Sequence, residues 1–411
     1  MNQPASFLST LLIFLRLGLT SFGGPVAHLA FFRHEFVERR HWLSDQQYAD
    51  LVALCQFLPG PASSQVGLAL GWSRGGYLGA LAAWLGFTLP SALLLILLAL
   101  GITQGADWLP HDLLQGLKVA AVAVVAYAVW GMARSFCTDW LRRAMMLLAA
   151  LSLILLPGMA VQLLVLLLGG LIGLYFLSPT AAPPVITNPP ATTFVTPPSS
   201  TLAGQISYRP LLWLLLFGLL LFGLPWLATT TEQPLLQLAD AFYRAGALVF
   251  GGGHVVLPLL QTEVVQTGWV SEADFMAGYG AAQVVPGPLF TFAAFLGALS
   301  APVASPWMGG LIALLAVFTP GVLLVFGILP YWERLRQQQR LQAALAGINA
   351  AVVGLLLAAL YNPVFTTGIK NLADALLALL TLLALWRLQW PVWLLVPGCA
   401  LIRWLVGGMN I

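Results

Sequence analysis

Two short segments that interrupt apolar runs carry the residues best suited to binding a small anion. Residues 58–65 read Leu-Pro-Gly-Pro-Ala-Ser-Ser-Gln, and residues 285–291 read Val-Pro-Gly-Pro-Leu-Phe-Thr. Proline and glycine end one helix, and the second proline suits the first position of the next. The first amides of that helix lack intrahelical partners and, with the positive end of its dipole, favour negative charge. We therefore expect an anion site at these helix starts, formed by Gly60, Ser63, Ser64, Gln65, Gly287 and Thr291. A proline kink that serves packing alone is the alternative.

Two arginines lie inside apolar runs, where a charge costs roughly 2.5–3.5 kcal/mol on insertion scales. Each shares a helix face with residues four and seven positions later, which are Thr20 and Gly23 after Arg16, and Leu248 and Gly251 after Arg244. Because glycines permit close helix approach, we expect both arginines to point along interhelical seams, beside Gly23, Gly24, Gly251 and Gly252. A guanidinium there could bind an oxyanion with two parallel hydrogen bonds, and we expect both arginines and these four glycines to belong to the anion site. Snorkelling of Arg16 to the membrane surface is the alternative.

Other ionisable residues near these motifs allow either a coupling role or a plain ion pair. Glu35 and Glu263 occupy equivalent places and could take up a proton or neutralise an arginine, although a surface ion pair is the simpler interpretation. His28 could titrate near neutral pH. Lys118, flanked by apolar residues, is a candidate anion partner or a snorkelling lysine.

Composition places most of this chain in lipid. Of its 411 residues, 60% are hydrophobic and 8% are charged, whereas soluble domains carry about 25% charged residues. The net charge of +3 and the absence of a basic run give no reason to expect nucleic acid. The sequence contains no recognisable pair of nucleophile and base, so it gives no reason to expect catalysis. It also lacks the Gly-Lys-Ser/Thr motif of ATP-binding loops. Its three cysteines are scattered, which argues against a disulfide framework or a metal site. We expect no cofactor.

The apolar runs predict an all-α polytopic membrane protein. At about 20 residues per crossing, whole spans fall near 7–31, 75–104, 110–133, 210–229, 235–257, 305–331, 341–361, 364–386 and 390–409. A break at Leu156-Pro157-Gly158 divides 141–178 into two short spans, and the Pro-Gly-Pro segments interrupt 44–72 and 271–300. Counting each interrupted segment once gives about 13 transmembrane segments. The run at 7–31 is too long for a signal-peptide core.

The chain contains one pattern twice. The first copy has Arg16, Phe22-Gly23-Gly24, Glu35, Trp42, Gln56 and Pro59-Gly60-Pro61, and the second has Arg244, Phe250-Gly251-Gly252, Glu263, Trp269, Gln283 and Pro286-Gly287-Pro288. We therefore predict an N-terminal transporter repeat at 1–178, a Pro/Thr-rich cytoplasmic linker at 179–209, and a C-terminal repeat at 210–411 with one extra leading helix. Seven crossings separate equivalent helices, which makes the repeats inverted. Loop 33–41, with three arginines, opposes this topology, and re-entrant Pro-Gly-Pro segments would change the parity.

These motifs resemble those of the chromate ion transporter family, known as ChrA, in its long two-domain form. The resemblance rests on Phe22-Gly23-Gly24-Pro25, His28, Glu35, Pro59-Gly60-Pro61 and Ser64-Gln65, and on their second-half counterparts. It implies a multi-pass protein of the bacterial inner membrane that exports chromate, with sulfate as the related anion. The second copy departs from the first, with Gly253 for Pro25, Val256 for His28 and Phe292 for Gln65.

Three functions remain open on the sequence. The first is a secondary transporter that exports chromate and confers chromate resistance. The second is an importer or exchanger of sulfate or another oxyanion, because both anions are tetrahedral dianions. The third is a membrane scaffold without transport. The expected partners are chromate or sulfate and the lipid bilayer, and a homodimer is also left open.

Overall fold

The computed structural model describes residues 6–103, 110–177, 209–250, 253–303, 305–335 and 337–407. Within these ranges the chain is all-helical and contains no strand. The first half contains α1 (Phe7–Thr20), α2 (Gly24–Arg33), α3 (Asp45–Phe57), α4 (Ala62–Thr103), α5 (His111–Phe136), α6 (Trp140–Leu155) and α7 (Met159–Phe176). The second half contains α8 (Arg209–Thr231), α9 (Pro234–Ala247), α10 (Val256–Val264), α11 (Glu272–Ala282), α12 (Phe292–Leu299), α13 (Pro306–Ile328), α14 (Trp332–Leu335), α15 (Gln339–Ala359), α16 (Thr366–Gly368), α17 (Leu372–Leu383) and α18 (Val392–Gly407).

Six helical stretches in the described residues are long and apolar enough to cross a membrane. They are Ala62–Thr103, Asp112–Phe136, Met159–Phe176, Pro210–Thr231, Pro306–Tyr331 and Gln339–Gly368. Shorter apolar helices lie at Phe7–Thr20, Leu289–Leu299 and Val392–Val406. The prediction of an all-α polytopic membrane protein is therefore confirmed, whereas the count of about 13 segments stays a prediction. The predicted linker at 179–209 lies almost wholly outside the described residues.

The first predicted span is two helices, not one. Helix α1 ends at Thr20 and α2 begins at Gly24, because Gly23 (φ 98°) and Gly24 (φ 76°) adopt left-handed conformations that end a right-handed helix. In the second copy, α9 ends at Ala247 and a 3₁₀ turn at Gly253–Val255 leads into α10. The predictions of continuous helices at 7–31 and 235–257 are therefore wrong, because each run contains the end of one helix and the start of another.

Helix α4 folds back on itself. The predicted segments 44–72 and 75–104 meet at this point, and the backbone leaves helical geometry at Gly75 and Gly76. We call residues 62–74 the short arm of α4 and residues 77–103 its long arm. Gly71 and Gly79 meet so closely that a Cβ on either would overlap the other's carbonyl oxygen. Gly297 and Gly309 make the same contact between α12 and α13. Each half therefore has a hairpin of helices directly after its Pro-Gly-Pro segment.

Aromatic side chains form much of the core around these hairpins. In the first half, Phe14, Phe32, Phe36 and Phe87 are fully or almost fully buried, with ring centroids 5.0–5.8 Å apart. In the second half, Phe292 packs against its neighbours Phe275, Tyr279 and Phe295 at 5.2–6.1 Å. These rings hold the broken segments against the long helices that follow them.

The two halves exchange helices. Helix α5 of the first half packs against α17 and α18 of the second, and α15 of the second half packs against α6 and α7 of the first. A charged cluster fixes the first exchange: Arg403 Nε lies 2.8 Å from Asp374 Oδ1, and Arg403 Nη1 lies 3.0 Å from Asp112 Oδ1. Gln115 Nε2 also donates to Asp374 Oδ2 at 3.2 Å. Each half therefore completes the helix packing of the other.

Reciprocal hydrogen bonds join the breaks of the two halves. The N–H of Gly60 donates to the carbonyl of Val249 at 2.7 Å, and the N–H of Gly287 donates to the carbonyl of Ser21 at 3.0 Å. Ser21 and Val249 are equivalent positions, as are Gly60 and Gly287. Contacts in which i meets j and j meets i are those of a two-fold relation. Each Pro-Gly-Pro segment therefore reaches the glycine break of the opposite half.

Candidate functional site

Only glycine fits at the centre of either Pro-Gly-Pro segment. Gly60 has φ 117° and Gly287 has φ 105°. A Cβ on Gly60 would lie 2.9 Å from Gln65 Nε2, and one on Gly287 would lie 2.8 Å from Ser91 Oγ. Both N–H groups already donate across the halves. Neither amide is therefore free for an anion, which corrects the expectation that Gly60 and Gly287 bind it directly.

The start of the short arm of α4 holds the unused donors. The N–H of Gln65 bonds to the carbonyl of Pro61 at 2.9 Å, so this amide, expected to be free, has a partner. Among the described residues, no hydrogen bond is made to the amides of Ser63 or Ser64. Ser63 Oγ lies 3.4 Å from Nδ1 of His28, whereas Ser64 Oγ is buried and no described residue hydrogen-bonds to it. The expected helix-start donors are thus present at two residues.

A small, partly open cavity adjoins this helix start. It measures ≈ 10 Å³, room for about one water, and is lined by Pro61, Ser64, Gln65, Leu68, Trp84, Phe318, Gly321 and Val322. Three of its polar atoms are buried and have no hydrogen-bond partner within the described ranges: Ser64 Oγ, Gln65 Oε1 and Trp84 Nε1. A hydroxyl, an indole N–H and a helix dipole can all stabilise an anion, while Gln65 Oε1 is an acceptor and can bond a water.

The equivalent helix start in the second half is apolar. There, a 3₁₀ turn at Leu289–Thr291 precedes α12, and Thr291 Oγ1 donates to the Pro288 carbonyl at 2.7 Å. Phe290 and Phe292 occupy the positions of Ser63 and Gln65 in the first copy. The hydroxyl of Thr291 is therefore already used, and the two Pro-Gly-Pro segments are unequal as anion sites.

The two equivalent arginines have different surroundings. Arg244 Nη2 lies 2.9 Å from Asp240 Oδ2 and 3.1 Å from Glu263 Oε2. Arg16 is exposed, because α1 turns Phe14, Leu17 and Gly18 towards α4 instead. The backbone contact between Gly18 and Gly86 decides this face. The prediction that both arginines lie along interhelical seams is therefore wrong for Arg16.

Glu35 forms a local ion pair after α2. Its carboxylate lies 3.0 Å from Arg39 Nη1 and 2.6 Å from Arg40 Nε. Partial burial acts to raise the pKa of Glu35, but the hydrogen bonds and charges of Arg40 and Arg39 outweigh it and leave this pKa below its usual value. Glu35 thus does not pair with Arg16, and its ion-pair alternative fits the structure.

The histidines adjoin the breaks, whereas Lys118 lies elsewhere. His28 is buried edge-on against Phe87, with centroids 5.3 Å apart, and its Nε2 has no partner in the described residues. His254 Nδ1 lies 2.8 Å from the hydroxyl of Tyr279. Lys118 is buried on α5, where its carbonyl meets Gly368 of α16. The structure therefore brings His28 to Ser63 and leaves Lys118 outside the cavity lining.

The glycine breaks also meet each other. A Cβ on Gly253 would lie 2.9 Å from Cγ of Pro25, its equivalent in the first copy. A second proline would not fit there, which accounts for this departure between the copies. Gly23 and Gly24 form the turn into α2, but Gly251 and Gly252, predicted to bind the anion, lie outside the described residues.

Sequence reasoning missed Trp84, Tyr279 and Asp240. Asp240 had a visible signal, since it precedes Arg244 by four residues, the spacing of a helical ion pair. Trp84 and Tyr279 had none, because aromatic residues in apolar runs are ordinarily packing residues. Over the described ranges, no three His, Cys, Asp or Glu residues are grouped as metal ligands.

The comparisons with known proteins agree with the motifs. The family model described as chromate transporter matches residues 8–174 and 236–404. The chain is 28% identical to the probable chromate transport protein of Synechococcus elongatus, over 91% of this chain and 88% of that protein. It is 28% identical to the chromate transport protein of Pseudomonas aeruginosa (98% and 93%) and 27% to that of Cupriavidus metallidurans (95% and 90%). No solved structure matches. The resemblance is confirmed: the chain belongs to the chromate transporter family.

Proposed function

We propose that this protein exports chromate and that the anion binds at the start of the short arm of α4. The observation that carries the proposal is the set of unpartnered donors beside the cavity, Ser64 Oγ and Trp84 Nε1, at a helix start where the two halves meet. A buried unsatisfied polar group costs about 1–3 kcal/mol. Such groups persist where a ligand or water uses them, and a dianion matches a hydroxyl, an indole N–H and the helix dipole.

As a family member, the chain is a multi-pass protein of the bacterial inner membrane. We propose that its halves are inverted repeats within about 13 transmembrane segments, and that they move against each other around the reciprocal bonds of Gly60 and Gly287. A cavity of ≈ 10 Å³ holds a water but not a tetrahedral oxyanion. The described conformation corresponds to a closed state, and the long arm of α4 or α13 must withdraw to admit the anion.

The charge distribution supports an anion path on the first half. Arg244 is neutralised by two carboxylates, whereas Arg16 has no ion pair among the described residues. Arg16 therefore keeps its positive charge for attracting an anion towards the break that follows α1. The remaining predicted ligands, Ser63 and Gln65, support the helix start through the bonds of Ser63 to His28 and of Gln65 to the Pro59 carbonyl.

Membrane potential favours export. Moving a dianion out of an inside-negative cell releases about 2 × 2.3 kcal/mol per 100 mV. At about 1.4 kcal/mol per tenfold, this supports roughly a thousandfold gradient. Export therefore needs no ATP, and chromate resistance of the expressing cell would follow from it.

Oxyanion flux in proteoliposomes under an imposed potential tests the proposal. We expect an interior-negative potential to drive chromate out, and a reversed potential to drive it in. Flux of sulfate without flux of chromate would identify sulfate as the substrate instead. If no oxyanion is transported, the scaffold hypothesis is favoured. Chromate tolerance of a sensitive host that expresses the protein then tests resistance.

A further inference from the structure

The second half contains a buried group of three charges that the anion site does not use. Arg244 Nη2 lies 2.9 Å from Asp240 Oδ2 and 3.1 Å from Glu263 Oε2, and Arg244 Nε donates to Asp240 Oδ1 at 3.1 Å. Glu263 is 6% exposed and Asp240 is 6% exposed. The second carboxylate oxygen of Glu263, Oε1, is buried and has no hydrogen-bond partner in the part of the chain that the structure describes. One guanidinium thus serves two carboxylates and leaves one oxygen unused.

Among the described residues, no neighbouring element supplies a second cation at this group. Helices α9 and α10 pack mainly against α7, α8, α13, α15 and the 3₁₀ turn 253–255. Helices α7 and α13 carry no charged residue, α8 carries only its first residue, Arg209, and α15 only Arg340 in its first turn. The remaining titratable groups are His254, bonded to Tyr279, and Tyr243 on α9, which donates to the Phe217 carbonyl. With both carboxylates ionised, the group carries one uncompensated negative charge.

A buried uncompensated charge is unfavourable by several kcal/mol, and a carboxyl group removes it by binding a proton. The equivalent place in the first half has no uncompensated negative charge and therefore no reason to bind a proton. Leu12 stands where Asp240 does in the second copy, Arg16 is exposed, and Glu35 faces two arginines. The halves therefore carry opposite imbalances, one extra cation beside Glu35 and one extra anion beside Glu263.

We propose that Glu263, held by Arg244 beside Asp240, is a proton-binding site that is loaded and emptied during the transport cycle. The proton binds to Oε1, the oxygen without a partner, and Oε2 keeps its contact with Arg244. Arg244 is the most accessible member of the group, with its side chain 28% exposed against 8% for Glu263 and 9% for Asp240, so the proton path of this proposal runs past its guanidinium. Loss of the proton restores the extra negative charge, which the guanidinium of Arg244 stabilises. A movement that changes the contacts of Arg244 therefore changes the proton affinity of Glu263. The proposal rests on the proposed transport function for its role, but not for its chemistry.

The chemistry is tested without transport. Infrared difference spectra of the purified full-length protein in lipid, recorded across a pH titration, should contain a protonated carboxyl C=O band that disappears in Glu263→Gln. Glu35→Gln is the matched control, because Glu35 is the equivalent carboxylate and is paired with two arginines. The band should remain in the control. Its absence from the wild type, or its persistence in Glu263→Gln, would overturn the proton site.

The role is tested in proteoliposomes with the membrane potential clamped at zero and a pH gradient imposed first in one direction and then in the other. We expect the wild type and Glu35→Gln to accumulate chromate under one of the two gradients. Chromate uptake by Glu263→Gln should fall to the level of empty vesicles under both. Accumulation by Glu263→Gln equal to the wild type would overturn the coupling. Failure of the proposed transport function can be distinguished from failure of the proton site. In the first case, the wild type would transport no chromate under a membrane potential either. The infrared titration would still decide whether Glu263 binds a proton.

Discussion

Replacing Ser64 by alanine separates the anion site from a packing role. The hydroxyl has no hydrogen-bond partner among the described residues, and the proposed function gives it a hydrogen bond to a dianion once the cavity widens. A hydrogen bond to a charged group contributes about 1.5–3 kcal/mol. At about 1.4 kcal/mol per tenfold, Ser64→Ala should weaken chromate binding roughly 10- to 150-fold. Its thermal stability should not fall, because a buried unsatisfied hydroxyl costs about 1–3 kcal/mol, and losing this cost offsets the lost packing of one atom.

Ser73→Ala is the matched control. Ser73 lies on the same short arm of α4, but its Oγ already donates to the Leu70 carbonyl at 2.8 Å. The assay is chromate flux in proteoliposomes against chromate concentration, with the unfolding temperature measured on the same preparations. We expect the half-saturating concentration to rise for Ser64→Ala only. Equal values for the two variants would refute the assignment of Ser64, and a large fall in unfolding temperature would indicate that its role is packing.

Three further predictions concern stability. Arg244→Met should lower the free energy of unfolding by about 3–5 kcal/mol, because two buried carboxylates lose their shared cation. Gly287→Ala should lower it by about 1–3 kcal/mol, since alanine is strained at φ 105° and its Cβ would crowd Ser91. Gly218→Ala, in open space on α8, should be neutral or stabilising. Gly253→Ala should destabilise the protein, and Pro25→Ala should partly restore it, with a coupling of about 0.5–3 kcal/mol. Thermal unfolding in detergent or lipid measures all three.

Each stability prediction has an outcome that contradicts it. An Arg244→Met protein as stable as Arg16→Met would mean that the carboxylates need no cation. Equal effects at Gly287 and Gly218 would remove the argument from backbone conformation. Additive effects at Gly253 and Pro25 would mean that these equivalent residues do not touch.

The Pro-Gly-Pro breaks and the duplication were predictable because proline ends a helix through local geometry. Pro59-Gly60-Pro61 interrupts a helix whatever surrounds it, and its recurrence as Pro286-Gly287-Pro288 helped to identify the repeat. The break at Gly23-Gly24 was missed, because the run at 7–31 was predicted as one helix. The face of α1 that packs was not predictable. Lipid-facing and protein-facing positions of a membrane helix are both apolar, so the hydrophobic pattern does not distinguish them. The contact of Gly18 with Gly86, which leaves Arg16 exposed, depends on a helix about 70 residues away in the sequence.

The fold-back of α4 and the surroundings of Arg244 needed the structure for other reasons. Gly75-Gly76 was a weak signal, since glycine is common in membrane helices without bending them. The pair of Arg244 with Asp240, although missed, was predictable from their spacing of four residues, but the approach of Glu263 required α10 to fold back on α9. The exchange of helices between halves had no sequence signal, because every helix involved is an ordinary apolar run.

That exchange has a consequence for how the protein is made. Gln115 on α5 bonds to Asp374, 259 positions later, so α5 enters the bilayer long before its partners leave the ribosome. Until α17 and α18 arrive, Gln115 and Asp112 have neither Asp374 nor Arg403 beside them. The nascent N-terminal half is thus an incomplete assembly that must be shielded from degradation, and truncations before residue 372 should be cleared by membrane proteases instead of accumulating.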